Sequence, residues 1–178
     1  EKDWGTEAAA TAFVFRMTGE ARYLKLARDM LYQSIASYLK NADTAANRPV
    51  AWWYSTTRVN AWSAYDWIYN DLSETERAEI ARPFLDHVEY EQTPYEPRLR
   101  YHGLGGTKSG FYGSDNLLWF AGLATFEDGI SDARALDFLM RGYDLNQQML
   151  AHRREACGDD GGGASATLTY AMGAYPWA

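Results

Sequence analysis

The feature of this chain that most limits its fold is the alternation of two helical patterns along its 178 residues. Three stretches are apolar on nearly every side, and they read AAATAFVF, VNAWSAYDWIY and NLLWFAGLATF. Each is followed by an amphipathic stretch in which one apolar stripe recurs at helical spacing. A helix that is apolar all round is enclosed by other helices, whereas a helix with one stripe keeps a wet face. The pattern therefore predicts inner helices that alternate with outer helices.

Seven helices are predicted from the helical period, with almost no strand pattern between them. The predicted helices cover residues 6–17, 21–39, 57–69, 73–90, 115–126, 132–154 and 164–174. The outer helices carry three apolar stripes that we expect to face the core. These stripes are Leu24, Ala27, Leu31, Ile35 and Tyr38; Ile80, Phe84, Leu85 and Val88; and Leu136, Met140, Tyr143 and Leu150.

Short turns of similar composition lead from each inner helix to the following outer helix. They read TGEAR, DLSETER and EDGISDAR, and they recur at intervals of about 55 residues. Ser73 and Glu76 have the spacing of a capping box in the second turn. A helical hairpin that repeats at this interval is typical of a solenoid or a closed ring of hairpins. We therefore expect an all-α fold in one domain, residues 1–178, that forms an incomplete α/α toroid of three hairpins and the start of a fourth.

Composition argues against several classes of partner. A net charge of −7 disfavours nucleic acid, because phosphate binding needs a basic face. The single cysteine, Cys157, excludes an internal disulfide and a cysteine-based zinc site, and the segment requires no cofactor. No run approaches the roughly 18 apolar residues of a membrane span, so no membrane partner is expected. Because the chain starts without Met and stops without a polar tail, we expect a segment of a larger protein.

The connections from outer to inner helices are long, and the helix order brings them to the same end of the array. They cover residues 40–56, 91–114 and 155–163, and they are rich in aromatic residues and glycine. Loops of this length in a compact domain are usually functional or disordered. The sequence therefore predicts a functional site at that end.

The first long connection contains AWWYSTTR, which sets Trp52, Trp53 and Tyr54 beside Arg58. Adjacent aromatic rings with an arginine suit stacking on sugar faces and pairing with a carboxylate or sulfate. The alternative is that two of the three aromatic residues belong to the core. We predict all four as substrate-binding residues.

The second long connection concentrates positive charge in an otherwise acidic chain. Arg98, Arg100, His102 and Lys108 lie close together in the sequence, and Tyr112 follows them. A local positive patch can focus an anionic ligand, although a run of charge is also typical of a solvated face. Arg100, Lys108 and Tyr112 join the predicted substrate-binding residues.

Two residues stand where inner helices begin after the second and third connections. Asn116 lies in the first turn of the helix that follows GSDN, where it acts either as a donor to a bound carboxylate or only as a cap. Tyr170 lies about two turns into the helix that follows the DGGGAS run. Spacing alone leaves Tyr170 open to a second interpretation, as a packed core residue.

The order YGSDNLLWFAGLATF, an amphipathic helix and then DGGGASATLTYAMGAY resembles the helical domain of the heparinase II/III-like polysaccharide lyases, which include relatives of alginate lyase. The segment RVNAWSAYDWIYNDLSETERAEI looks like the hairpin before it, so the resemblance spans most of residues 50–177. It implies an incomplete α/α toroid followed by a C-terminal β-sandwich region of the same parent chain. It also implies β-elimination on an anionic, uronic-acid-containing polysaccharide, in the periplasm or outside the cell.

The resemblance assigns roles to two positions of this chain. It implies that Asn116 neutralises the uronate carboxylate and that Tyr170 acts as the general base and acid. Their separation, 170 − 116 = 54 residues, matches one hairpin repeat. The family takes a further catalytic His from beyond the helical domain, and His102 is the candidate within this chain. A free phenol has a pKa of about 10, so a cation must assist Tyr170; the candidates are Arg58, His102, Arg153 and Arg154.

Two other classes of function remain open from the residues alone. An α/α-toroid glycoside hydrolase uses paired carboxylates, for which Asp115, Asp159 and Asp160 are available. A non-catalytic, carbohydrate-binding module of helical repeats also fits long aromatic loops at one end. The reaction product separates these classes, because a lyase leaves a C4–C5 double bond and a hydrolase adds water.

Overall fold

A computed structural model describes residues 4–42, 52–92 and 114–156 of the chain. Every regular element in these ranges is helical, which confirms the predicted all-α class. The helices are α1 (Gly5–Thr18), α2 (Ala21–Ala42), α3 (Trp52–Ile68), α4 (Glu74–Gln92), α5 (Ser114–Thr125) and α6 (Asp132–Ala156), with a single 3-10 turn at Tyr69–Asp71. The seventh helix predicted at 164–174 lies outside the described residues.

Local hydrogen bonds close the three short turns. Gly19 ends α1 in the left-handed conformation with φ 71°, and its N–H donates to the Phe15 carbonyl oxygen at 2.7 Å. The predicted capping box is present before α4, because the Ser73 N–H donates to Glu76 Oε2 at 2.9 Å and the Glu76 N–H donates to Ser73 Oγ at 3.3 Å. Glu76 Oε2 accepts hydrogen bonds from the Ser73 N–H and, at 2.8 Å, from Ser73 Oγ, and these two bonds hold the pKa of the Glu76 carboxyl below its usual value. In the third turn, the Ile130 N–H donates to Asp128 Oδ1 at 2.8 Å.

The inner helices pack in chain order. Helix α3 contacts α1 on one side and α5 on the other, while the outer helix α2 contacts α4. Helices α1 and α2 also pack together, and small residues of both helices, such as Ala8, Ala12 and Ala27, are buried. Between α3 and α4, the rings of Trp62 and Phe84 stack at 4.0 Å between centroids. Truncating a buried aromatic side chain of this size costs about 3–5 kcal/mol.

Helices α5 and α6 meet with their backbones almost in contact. A Cβ atom at Gly122 would lie 2.7 Å from the Leu139 nitrogen, and one at Gly142 would lie 2.6 Å from the Trp119 nitrogen. Side chains do not reach such distances without shifting the backbone, so both positions require glycine. The crossing sets α5 residues 119–122 at the same level as α6 residues 139–142.

Helix α3 begins five residues earlier than predicted. The predicted loop 40–56 contained Trp52, Trp53 and Tyr54, whereas the structure has all three in the first turns of α3. The last helix-breaking residue before them is Pro49, and no glycine or proline occurs between positions 52 and 68. Residues 52–56 therefore carry no helix breaker that would separate them from the predicted helix.

The apolar stripe predicted for α6 was wrong for three of its residues. Leu136, Met140 and Tyr143 are 51%, 54% and 45% exposed, whereas Ala135 and Phe138 are buried. The side that carries Ala135 and Gly142 faces α5 because only small residues permit the close crossing. The side chain of Leu150 is outside the described part of the structure.

Candidate functional site

The N-terminal ends of the inner helices and the C-terminal ends of the outer helices lie at one end of the array. This arrangement follows from the short turns, which occupy the other end. Gly5 at the start of α1 lies against the Thr57 carbonyl oxygen and the Tyr38 hydroxyl, so a Cβ there would collide with both. The start of α1, the last turns of α2 and the first half of α3 therefore meet at this end.

A buried polar cluster occupies this meeting point. It consists of Tyr38 of α2, Arg58 of α3 and His87 of α4, all of which are buried. Arg58 Nε donates a hydrogen bond to His87 Nε2 at 2.7 Å. The Arg58 guanidinium also lies over the Tyr38 ring at 4.2 Å, and the Tyr38 and His87 rings stack at 5.5 Å. One arginine thus connects three helices that belong to two successive hairpins.

The charge state of His87 follows from these contacts. Burial and the neighbouring Arg58 charge, in that order, lower the pKa of His87 from 6.5 to about 3. A neutral imidazole that accepts a hydrogen bond at Nε2 carries its proton on Nδ1. Guanidinium groups carry a positive charge at any working pH. The cluster therefore places a buried guanidinium at the end where the long connections leave the helices.

An aromatic wall supports the cluster on its inner side. Phe84 packs against Tyr38 at 5.6 Å and stacks on Trp62, so the three rings form a continuous layer from α2 through α4 to α3. The Trp62 ring is fully buried, and its Nε1 has no hydrogen-bond partner among the described residues. This layer keeps water from the inner side of the arginine and lowers the local dielectric, which strengthens the field of its charge.

The structure describes the predicted site residues to different extents. Arg58 is described in full and belongs to the buried cluster, while Trp52, Trp53 and Tyr54 are located in α3 by their backbone alone. The remaining positions fall into two groups. Asp115 and Asn116 lie in the first turn of α5, and Arg153 and Arg154 near the end of α6, again as backbone positions. Outside the described residues lie Arg98, Arg100, His102, Lys108, Tyr112, Asp159, Asp160 and Tyr170.

Tyr38 and His87 were missed as members of the site. The sequence contains a signal for His87, because a histidine occurs between the apolar residues Leu85 and Val88 of one predicted stripe. A polar residue on a core-facing stripe needs a partner, and a nearby buried arginine supplies one. The sequence does not show that Arg58 is that partner, since the two are 29 residues apart.

Two kinds of feature are absent from residues 4–42, 52–92 and 114–156. There is no group of three or more His, Cys, Asp or Glu side chains arranged to hold a metal ion in those ranges. Among the helices described there, none is long and apolar enough to cross a membrane.

The chain was also compared with protein-family models, curated proteins and solved structures. No family model, curated protein or solved structure matches it. The residues at the end of the helical array and their chemistry are therefore the basis for a proposed function.

Proposed function

We propose that the chain is the helical part of a polysaccharide lyase that cleaves a uronic-acid-containing polysaccharide by β-elimination. Its helices would form an incomplete α/α toroid, and the parent chain would supply a β-rich region with a further histidine. The alternation of inner and outer helices and the contacts from α1 to α3 to α5 support this arrangement. The substrate class implies a periplasmic or secreted protein.

The observation that carries the proposal is the position of Asn116 relative to the buried cation. Asn116 lies in the first turn of α5, and α5 packs directly against α3, which holds Arg58 near its own start. An amide donor, a helix N-terminus and a charged guanidinium thus belong to the same end of two adjacent inner helices. All three favour an anion, and a uronate carboxylate is an anion of suitable size.

The chemistry of β-elimination uses these groups in a defined order. The Tyr170 phenolate takes the C5 proton, and the electron pair of the broken C–H bond forms the C4–C5 double bond. The C4–O4 bond breaks, and the departing O4 takes the proton from Tyr170. Negative charge grows on the uronate carboxylate during proton removal, so the amide of Asn116 acts where stabilisation lowers the barrier most. One residue then acts as both general base and general acid.

The buried charge of Arg58 has a role that does not require contact with the sugar. A positive charge fixed in a low-dielectric environment stabilises anions over several ångströms. It would therefore favour a carboxylate bound at the start of the neighbouring helix α5. His87 supports this role because it accepts a hydrogen bond from Arg58 without carrying a competing charge.

The test uses the full-length chain and a panel of uronate polysaccharides that includes heparin-like chains, alginate and ulvan. Cleavage by elimination produces an unsaturated uronate with characteristic ultraviolet absorbance. We expect Tyr170→Phe to abolish this absorbance, while the matched control Tyr175→Phe retains it. An unchanged rate in Tyr170→Phe would refute the assigned role.

Two other outcomes identify the alternatives. New reducing ends without ultraviolet absorbance indicate a hydrolase, and substitution of Asp115, Asp159 or Asp160 would then locate its carboxylates. Binding of polysaccharide without any cleavage indicates a non-catalytic module. Either result overturns the lyase proposal.

A further inference from the structure

Two consecutive residues at the start of α1 contact the side of α2 that carries Tyr38. The Trp4 N–H donates a hydrogen bond to Oγ of the buried Ser34 at 3.1 Å. Ser34 and Tyr38 are spaced at i and i+4, so they lie on the same side of α2. Gly5 follows Trp4 and lies against the Tyr38 hydroxyl, where a Cβ atom would come within 2.7 Å of the oxygen. The start of α1 therefore packs along one turn of α2.

The same glycine also lies against the backbone that leads to Arg58. A Cβ atom at Gly5 would collide with the carbonyl oxygen of Thr57, the residue directly before Arg58 in α3. A residue without a side chain allows such a close approach of one backbone to its neighbours. The contact at Gly5 therefore helps to set the spacing between the Tyr38 ring on α2 and the Arg58 side chain on α3.

The Tyr38 ring supports both members of the hydrogen bond at the candidate site. The Arg58 Nε–H donates to His87 Nε2 at 2.7 Å, and this bond holds one edge of the planar guanidinium. The Arg58 Cζ atom lies 4.2 Å from the centroid of the Tyr38 ring, and an aromatic face attracts a cation placed over it. The His87 ring stacks on Tyr38 at 5.5 Å. The ring therefore limits the directions in which the guanidinium and the imidazole can move.

Tyr38 itself is held on several sides. It is buried, and Phe84 of α4 packs on its ring at 5.6 Å between centroids. The α1 backbone at Gly5 closes the space beyond its hydroxyl. Close-packed interior side chains transmit strain to their neighbours. A displacement of α1 at Gly5 is therefore passed through the Tyr38 ring to Arg58 and His87.

We infer that Gly5 and Tyr38 are positioning residues of the candidate site, which together hold the Arg58 guanidinium in place. Neither residue needs to touch the substrate in this role, because each acts through Arg58. A misplacement of about 1 Å can lower the rate of an enzyme substantially even when its cause lies away from the reacting atoms. The effect on catalysis rests on the proposed lyase reaction, whereas the effect on the buried cluster does not.

The titration of His87 reports on the cluster without any substrate. Burial and the Arg58 charge hold the pKa of His87 at about 3, and both influences weaken when the cluster loosens. Nuclear magnetic resonance of the full chain measures this pKa. We expect Tyr38→Leu and Gly5→Ala to raise it by about one unit or more, whereas Tyr38→Phe, which keeps the ring, leaves it unchanged.

Gly122→Ala is the matched control for a substitution that only strains the packing. A Cβ atom at Gly122 would lie 2.7 Å from the Leu139 nitrogen, in the contact of α5 with α6, and neither helix contributes to the cluster. We expect this variant to have a lower free energy of unfolding and an unchanged His87 pKa. An equal rise of the His87 pKa in Gly122→Ala overturns the positioning role, as does an unchanged pKa in both Tyr38→Leu and Gly5→Ala.

The polysaccharide assay then measures the effect on catalysis. On a uronate polysaccharide that the wild-type chain cleaves, we expect Tyr38→Leu to lower kcat/KM by about tenfold or more and Tyr38→Phe to keep it within about twofold. Equal kcat/KM values in Tyr38→Leu and the wild type would overturn the positioning role in catalysis. A wild-type chain that cleaves no polysaccharide refutes the proposed function, and the His87 titration then decides the positioning role by itself.

Discussion

The buried His87 makes the stability of the protein depend on pH in a direction that can be calculated. In the unfolded chain its pKa is the ordinary 6.5, whereas in the folded protein it falls to about 3. Between these values the unfolded state binds a proton that the folded state does not. The free energy of unfolding is therefore unaffected by His87 above pH 6.5 and falls as the pH decreases below that value.

The size of the effect follows from the width of this interval. Each pH unit below 6.5 costs about 1.4 kcal/mol until the folded histidine itself takes up a proton. At pH 4.5 the loss is about 3 kcal/mol, a large part of the roughly 5–15 kcal/mol that stabilises a domain. The physical cause is that a second positive charge would be buried next to Arg58.

Urea unfolding at pH 7 and at pH 4.5 measures this loss. His87→Gln is the matched variant, because its side-chain oxygen can accept the hydrogen bond from Arg58 but does not titrate. Other groups titrate in both proteins, so the difference between the two pH-dependent losses isolates His87. We expect the wild-type protein to lose about 3 kcal/mol more than the variant.

Two results would refute the reasoning. Equal losses in wild type and His87→Gln would show that His87 has no depressed pKa in the folded protein. A nuclear magnetic resonance titration in which the His87 ring signals shift near pH 6.5 would show the same directly. We expect those signals to remain unchanged from pH 7 to pH 4.5.

Three further predictions concern single contacts and are checked by urea unfolding at neutral pH. Gly142→Ala should lower the free energy of unfolding by about 1–3 kcal/mol, because a Cβ would lie 2.6 Å from the Trp119 nitrogen. An unchanged free energy of unfolding would show that α5 and α6 can move apart without cost. Ser73→Ala should lower the free energy of unfolding by about 1 kcal/mol, because it removes the side chain that caps α4. Thr75→Ala, at a neighbouring residue that does not cap the helix in the described structure, should lower it by less. Tyr65→Phe should cost about 0.5–1.5 kcal/mol, since its hydroxyl donates to Asp128 at 3.0 Å, and an unchanged stability would mean that water replaces the bond.

The helices and turns could be predicted from the sequence because their signals are local. The period of the apolar residues located six helices, and Ser73 with Glu76 marked the start of α4. The start of α3 was harder to predict, since the residues from Trp52 onward are compatible with either a helix or a loop. Only the absence of a breaker after Pro49 favours the helix.

Contacts between helices were harder to predict than the helices themselves. The bond between Arg58 and His87 depends on how α3 and α4 pack, and nothing in either helix identifies its partner. The prediction that the apolar stripe of α6 faces the core was wrong for a related reason. Periodicity shows that one side of a helix is apolar, but it does not show that a close glycine crossing buries a different side of that helix.

The way in which α6 is attached to the other helices affects the order in which the helices unfold. Helix α6 is joined to α4 by Arg134–Asp86 and Arg141–Glu89, which are solvent-accessible ion pairs worth at most about 1 kcal/mol each. Among the described residues, α6 otherwise packs mainly on α5, whereas separating α4 from α3 exposes the buried Arg58 and His87 to water. We therefore expect α6 to open first, with its amide hydrogens exchanging with solvent before those of α3 and α4.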